Sequence, residues 1–335
     1  MSIVLTVAIP IYKSMPLLPM TVDSVLQHRN DGFELLFIYD GYKDGSLEYC
    51  NSVCEKDPRV RTIIKESGNL PSARNYGMRC ARGCYIWFFD ADDLACKNSL
   101  DDLVLQIRQM RSYPDVIMSN YSKFINNTQI IWESEYPYEF TDMLKVNGID
   151  MVNRFWGEFN MTWAVWCHIF NMEFLRRNQC VFDESLSCHE DGDWTINTFL
   201  KVQTVEVRPK ACYSHRMDNI ASASYKPFSL SSFRCAMGIT TKWFRYFKNH
   251  ERDCSAILYR LSCSYNDLLH RIHQMLADEK REAIKIYLCN KDIADYKNLY
   301  KMKTTKSVRD NPNYDRYINM NRIYKSMIEQ ASRMS

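Results

Sequence analysis

Tyr85-Ile86-Trp87-Phe88-Phe89-Asp90-Ala91-Asp92-Asp93 sets five apolar residues directly against three acids in four positions. An apolar run this short, with no polar alternation, predicts a strand buried on both faces. Open α/β sheets hold their ligands beyond the carboxyl ends of such strands. Three carboxylates crowded there repel one another unless a cation offsets them, so the cluster predicts a hard divalent metal with oxygen ligands.

The flanking sequence supplies the rest of such a sheet. Ile3–Pro10, Phe33–Asp40 and Val60–Ile64 read as further strands, with Val116–Ser119 as a fifth. Helical stretches lie between them, near Leu17–Gln27, Ser46–Lys56, Ser72–Ala81 and Leu100–Arg111. This alternation predicts a largely parallel sheet with helices on both faces. Residues 121–225 break the rhythm, and from 226 onward Gly and Pro nearly vanish until Pro312. There the spacing of apolar residues predicts successive amphipathic helices.

Composition bounds the class. The 335 residues are 46% hydrophobic and 25% charged, ordinary globular values that predict about two domains. No apolar run approaches the roughly 18 residues of a membrane span. Thirteen cysteines lie scattered without a CxxC pair, and Met1–Leu5 carry no charged leader. A cytoplasmic protein with reduced thiols is therefore expected. The net charge of +3 hides an asymmetry. Residues 1–225 hold 22 Lys/Arg against 29 Asp/Glu, a balance of −7, whereas 226–335 hold 21 against 11, a balance of +10. The expected domains are an acidic metal-holding body over 1–225, divided near 120, and a basic helical region over 226–335.

The order of motifs then identifies a family. Val7-Ala8-Ile9-Pro10-Ile11-Tyr12 opens the chain, and Asp40-Gly41-Tyr42-Lys43-Asp44-Gly45-Ser46 follows the second strand. Ser72-Ala73-Arg74-Asn75-Tyr76-Gly77 precedes Phe89-Asp90-Ala91-Asp92-Asp93, with Phe182-Asp183-Glu184 and His189-Glu190-Asp191-Gly192-Asp193-Trp194 farther on. Over roughly 3–225 the chain resembles the family 2 glycosyltransferases of the GT-A fold, which are inverting, metal-dependent and use nucleotide sugars. The resemblance implies a Rossmann-like, mixed but mostly parallel sheet followed by a C-terminal helical region. Its donor-binding half would be 1–120 and its acceptor-binding half 121–225.

Position by position, the resemblance implies that Asp40 binds the nucleotide, with Pro10 and Tyr12 where the base is cradled. Asp90 and Asp92 match the DxD motif that binds Mn²⁺ or Mg²⁺ and the donor, and residues two apart on a strand share a face. Glu190-Asp191 matches the acidic pair, with Asp191 as catalytic base and Glu190 as supporting acid. On the residues alone, the same pair would serve as first-turn acids of a helix over Trp194–Leu200. Arg74 is expected to meet phosphate or a site carboxylate, and Arg216 to cover the diphosphate. His215 is a further candidate metal ligand, and Trp163 and Trp166 are candidate faces for an acceptor sugar, the core being the alternative for both.

Two positions depart from the family pattern: Tyr39 stands where an acid is usual, and Lys43 where a small hydroxyl residue is common. Both bear on which base or sugar is read. The basic, aromatic stretch Lys242-Trp243-Phe244-Arg245-Tyr246-Phe247-Lys248 suits either a membrane interface or a helical buttress. The resemblance implies transfer of a hexose or N-acetylhexosamine, with a UDP-sugar donor expected. The acceptor would be a glycan or lipid-linked oligosaccharide in lipooligosaccharide, capsule or O-antigen synthesis, met at the inner face of a bacterial inner membrane. No nucleic-acid motif accompanies the acidic body. A metal-dependent nucleotidyltransferase and a catalytically silent nucleotide-binding module are the competing classes.

Overall fold

The computed structural model describes residues 2–66, 68–134, 144–158, 162–219, 227–272, 275–292 and 295. These fall into two compact units, one drawn from 1–148, 162–186 and 190–221 and the other from 149–161, 187–189 and 222–335. The charge boundary near 225 lies close to the last crossing, but nothing in composition marks the two short segments that join the helical unit.

The first unit is built on one sheet. Its strands are β1 (Leu5–Ile11), β2 (Phe33–Tyr39), β3 (Val60–Ile64), β4 (Tyr85–Phe88), β5 (Leu94–Ala95), β6 (Val116–Ile125), β7 (Gln129–Glu133), β8 (Leu144–Lys145), β9 (His168–Asn171) and β10 (Thr204–Arg216). They run in the order β3-β2-β1-β4-β9-β6-β10-β5, with β7 added to β6 and β8 to β10. The pairs β3–β2, β2–β1, β1–β4 and β6–β10 are parallel, whereas β9 is antiparallel to both neighbours. The carboxyl ends of β1, β2, β4, β6 and β10 therefore point to one edge.

Burial follows the apolar runs. Every residue of β2 and β4 is buried, as expected where helices cover both faces. Those helices are α1 (Leu18–Leu26), α2 (Ser46–Lys56), α3 (Leu70–Cys80) and α4 (Ser99–Gln109). Gly83 lies just before β4, where a Cβ would stand 2.6 Å from backbone atoms of Leu5 and Thr6, so only glycine permits this approach. Helix α3 starts two residues before the expected Ser72, because Asn69 caps it reciprocally with Ser72 and Pro71 fits the first turn. Strand β6 runs six residues beyond the expected Ser119. The polar residues that read as its end are paired sideways, Ser122 with Ser214 at 2.5 Å and Asn120 with Ser134 at 2.9 Å.

The short helix α5 (Gly148–Val152) leads into a π-helical turn at Asn153–Glu158, while α6 (Met172–Arg177) and α7 (Glu190–Phe199) flank the later strands of the sheet unit. The helical unit contains α8 (Leu230–Lys248), α9 (Ser255–Ile272) and α10 (Ala277–Cys289). Asn153 Oδ1 accepts from the backbone N–H groups of Ala256 and Ile257 and caps α9. On α8, Trp243, Phe244 and Phe247 are buried inside this unit, leaving Lys242, Arg245, Tyr246 and Lys248 outward. Arg245 and Lys248 are spent on Asp292 and Asp295. Three of the four aromatic residues of that stretch thus serve the core of this unit, and Tyr246 stays exposed beside the basic side chains. No helix among the described residues is long and apolar enough to cross a membrane.

Candidate functional site

At the carboxyl edge of the sheet three of the expected acids, Asp90, Glu190 and Asp191, meet one cation, Arg74. Arg74 lies on α3 and is only 1% exposed. Its Nη1 donates to Glu190 Oε1 at 3.2 Å and to Asp191 Oδ1, and its Nη2 stands 3.5 Å from Asp90 Oδ1. Three carboxylates from two distant stretches of sequence therefore share one guanidinium. Burial opposes the charge on Arg74, but the three acids outweigh it and hold the group protonated.

The scaffold around Arg74 explains why these pieces converge. The neighbouring Asn75 donates to the Phe182 carbonyl at 3.0 Å and to Glu184 at 2.8 Å, and accepts from the Phe182 N–H at 2.8 Å. Asn69 at the head of α3 donates to the Glu184 carbonyl at 2.7 Å. Phe182 then stacks flat on Trp194 of α7, with centroids 4.3 Å apart. Together these contacts set the first turn of α7, and with it Glu190 and Asp191, over the α3 arginine. The two acids are first-turn residues and site residues at once.

Charge is out of balance here. Burial, with Asp93, Asp92 and Asp191 nearby, lifts Asp90 to about 7 against the pull of Arg74. Burial and the Asp93 charge also raise Asp92, and burial with the Asp191 charge raises Glu190. Added positive charge would relieve all three. Among the described residues no group of three His, Cys, Asp or Glu side chains is arranged to hold a metal ion by itself.

Asp93 does something the sequence did not announce. It is fully buried and accepts three hydrogen bonds, from the Tyr213 hydroxyl at 2.5 Å, the Arg216 N–H at 2.6 Å and His215 Nδ1 at 3.0 Å. The Tyr213 hydroxyl in turn accepts from the Asp90 N–H at 3.2 Å. Arg216 extends the brace: its Nε donates to the Asp92 carbonyl at 2.8 Å, its Nη1 to Asn127 at 2.8 Å, and its guanidinium lies over Phe124. Asn219 donates to Asp92 Oδ2 at 2.7 Å. The turn carrying Asp90 and Asp92 is thus tied to the end of β10. His215 commits Nδ1 to Asp93, so at most Nε2 faces a cation. Burial opposes its charge, but the Asp93 bond and nearby carboxylates raise its pKa overall.

The expected nucleotide residues sit at the ends of β1 and β2. Pro10 lies within β1 opposite Ile38. Tyr12 is 56% exposed and meets Tyr42 edge to face at 5.3 Å, with Lys13 over both rings. The Asp40 carboxylate is largely buried. Its Oδ1 accepts no hydrogen bond, and the Lys65 ammonium stands 3.7 Å away. A buried acceptor in that condition favours a donor from a ligand. The Trp163 carbonyl accepts from Thr195 of α7 at 2.9 Å. Trp166 is 7% exposed and stacked on both Tyr213 and His215. The Trp166 ring is therefore packed into the core, one of the two roles the sequence allowed it.

The profile of the family described as Glycosyl transferase family 2 matches residues 6–176. A Bacillus subtilis (strain 168) protein, the uncharacterized glycosyltransferase EpsJ, is 25% identical over 231 residues, covering 66% of this chain and 64% of its own. The uncharacterized glycosyltransferase YibD of Escherichia coli (strain K12) is 25% identical over 219 residues, covering 64% and 62%. The chain thus spans slightly less than two thirds of these curated relatives. Among solved structures, S. aureus TarS 1-349 in complex with UDP-GlcNAc superposes with a TM-score of 0.60 at 17% identity, covering 89% of this chain and 91% of that one. The mannosyltransferase PcManGT of Pyrobaculum calidifontis, in complex with GDP-Man and Mn²⁺, gives 0.56 at 13%, covering 99% and 87%. These likenesses establish a shared fold.

Proposed function

The chain belongs to glycosyl transferase family 2 and has the GT-A fold, and from that premise we propose that it moves a sugar from a UDP-sugar to a hydroxyl of a glycan or lipid-linked acceptor, with inversion at the anomeric carbon. The observation that carries this reading is the gathering of Asp90, Glu190 and Asp191 on the buried Arg74 at the carboxyl edge of the sheet. That arrangement sets a donor-side acid beside an acid pair able to serve an acceptor. The product class would be a surface glycan such as lipooligosaccharide, capsule or O-antigen.

In this reading Asp191 is the general base. Its carboxylate takes the proton of the acceptor hydroxyl while that oxygen attacks the anomeric carbon from the face opposite the diphosphate. The C–O bond to the diphosphate breaks as the new glycosidic bond forms, through an oxocarbenium-like transition state. Arg74 orients Asp191 and spreads the charge of Glu190, and Asp40 accepts a hydrogen bond from the nucleoside. Tyr12 and Tyr42 give its base an aromatic edge, and Arg216 keeps the Asp90–Asp92 turn in place.

Asp92 and Asp90 would hold Mn²⁺ or Mg²⁺, which fits carboxylates whose proton affinity is raised by burial and mutual repulsion. Such an ion supplies Lewis-acid neutralisation of the leaving diphosphate. Support for this donor chemistry comes from TarS, solved with UDP-GlcNAc, and from PcManGT, solved with GDP-Man and Mn²⁺. The test is turnover of a panel of UDP-, GDP- and dTDP-sugars with Mn²⁺, with product analysis. Release of nucleoside diphosphate from a UDP-sugar is expected. Release of pyrophosphate, or binding without turnover of any donor, would overturn the reading.

A further inference from the structure

Strand β7 is exposed along its whole length, including Ile130, Ile131 and Trp132 in succession. Register places it close to the site. Lys123 of β6 pairs with Trp132 on one side and with His215 of β10 on the other. Tyr121, two residues back on the same face of β6, pairs with Tyr213. Two inter-strand spacings, about 10 Å, therefore separate Trp132 from His215, whose Nδ1 is on Asp93. That span suits one or two sugar rings.

A ladder of rings links the two, its inner member Trp166 buried and its outer member Trp132 exposed. Trp132 packs on Tyr121 at 5.1 Å, Tyr121 on Trp166 at 4.9 Å, and Trp166 on His215 at 5.0 Å. Trp132 is 44% exposed, so part of its ring is free for the apolar face of a sugar. The Lys123 ammonium lies 4.9 Å from the Trp132 centroid and has no carboxylate partner among the described residues. An aromatic platform beside a cation with no carboxylate partner among the described residues favours a saccharide carrying a negative charge.

We propose that Trp132 and Lys123 form an acceptor subsite for an anionic sugar, such as a uronate, one or two units from the reacting hydroxyl. The inference rests on the glycosyltransferase reading and names the acceptor class within it. Ligand-observed NMR titration in the presence of saturating UDP, using cellobiose and its C6-oxidised counterpart cellobiuronic acid, tests it. The acidic disaccharide should bind the unsubstituted protein about fivefold more tightly than the neutral one. Trp132→Ala should weaken both about tenfold, and Lys123→Gln should abolish the preference while keeping neutral binding.

UDP affinity, measured in the same samples, should be unchanged by either substitution. Intact UDP binding with no disaccharide binding, or with disaccharide affinities insensitive to Trp132→Ala, overturns the subsite alone. Failure of UDP to bind the unsubstituted protein instead overturns the donor reading beneath it. A dimer in sedimentation that Trp132→Ala dissolves, without loss of saccharide affinity, would assign the face to a second copy and also overturn the proposal.

Discussion

Asp93 and Asp191 divide the work among the acids, and their surroundings say how. Asp93 has every near neighbour a buried carboxylate wants, so it fixes the turn rather than reacting. Asp93→Asn should lose the bond from Tyr213 or His215 and leave a buried donor unpaired, costing about 1–3 kcal/mol. The expected outcome is a lower thermal midpoint together with about tenfold weaker Mn²⁺ activation of donor turnover. Tyr213→Phe should reproduce the metal effect, since the hydroxyl joins Asp93 to the Asp90 N–H. Mn²⁺ activation unchanged in both variants would remove the brace from the site's chemistry. Asp191→Asn should keep UDP affinity within about threefold while transfer falls at least 10²-fold, as loss of a general base requires. Calorimetry and single-turnover kinetics separate the two. Residue identity in the sequence announced the acids but not this division, because the partners of Asp93 lie 120 or more positions away.

Among the elements, β9 was the least legible and has the most distinctive acid–base behaviour. It is four residues long and too short for a periodic pattern, yet it sits antiparallel between β4 and β6. The long apolar strands β1, β2 and β4 could be read directly, since burial on both faces leaves an unbroken run. Helix α7 was legible only in its second half, because an acidic first turn looks the same whether it serves helix or ligand. In β9, His168 packs edge to face against Phe199 at 5.0 Å and near Phe170. Burial pushes its pKa down to about 3. Above the unfolded value near 6.5 both states are neutral and the group has no effect on stability. As pH falls below it, the unfolded chain takes a proton that the folded chain refuses. Stability is therefore lost at up to about 1.4 kcal/mol per pH unit until about pH 3. Urea unfolding at pH 4, 5, 6 and 7 should show this slope, and His168→Leu should reduce it by one proton's worth. An unchanged slope would mean that His168 titrates elsewhere than the packing implies.

For the molecule as a whole, the parallel half of the sheet and the ordered motifs were readable because they are local. The wiring between α3, β4 and α7 was not, because it depends on folding that joins Arg74 to residues 116 and 117 positions away. That wiring predicts coupling. Arg74→Ala should destabilise by about 3 kcal/mol, since it leaves three partly buried carboxylates crowded without a counter-charge. Adding Asp191→Asn should recover part of that loss, with a coupling of about 1 kcal/mol or more in a denaturation cycle. Strict additivity would show that the shared ion pair has no energetic content. The sharing also has a historical consequence. A lineage could not retune Asp191 on α7, the proposed base, without disturbing the acid at the end of β4, because both answer to one arginine. Chimaeras that exchange residues 182–199 between distant relatives should therefore inherit the donor's catalytic defects unless the α3 partner travels with them.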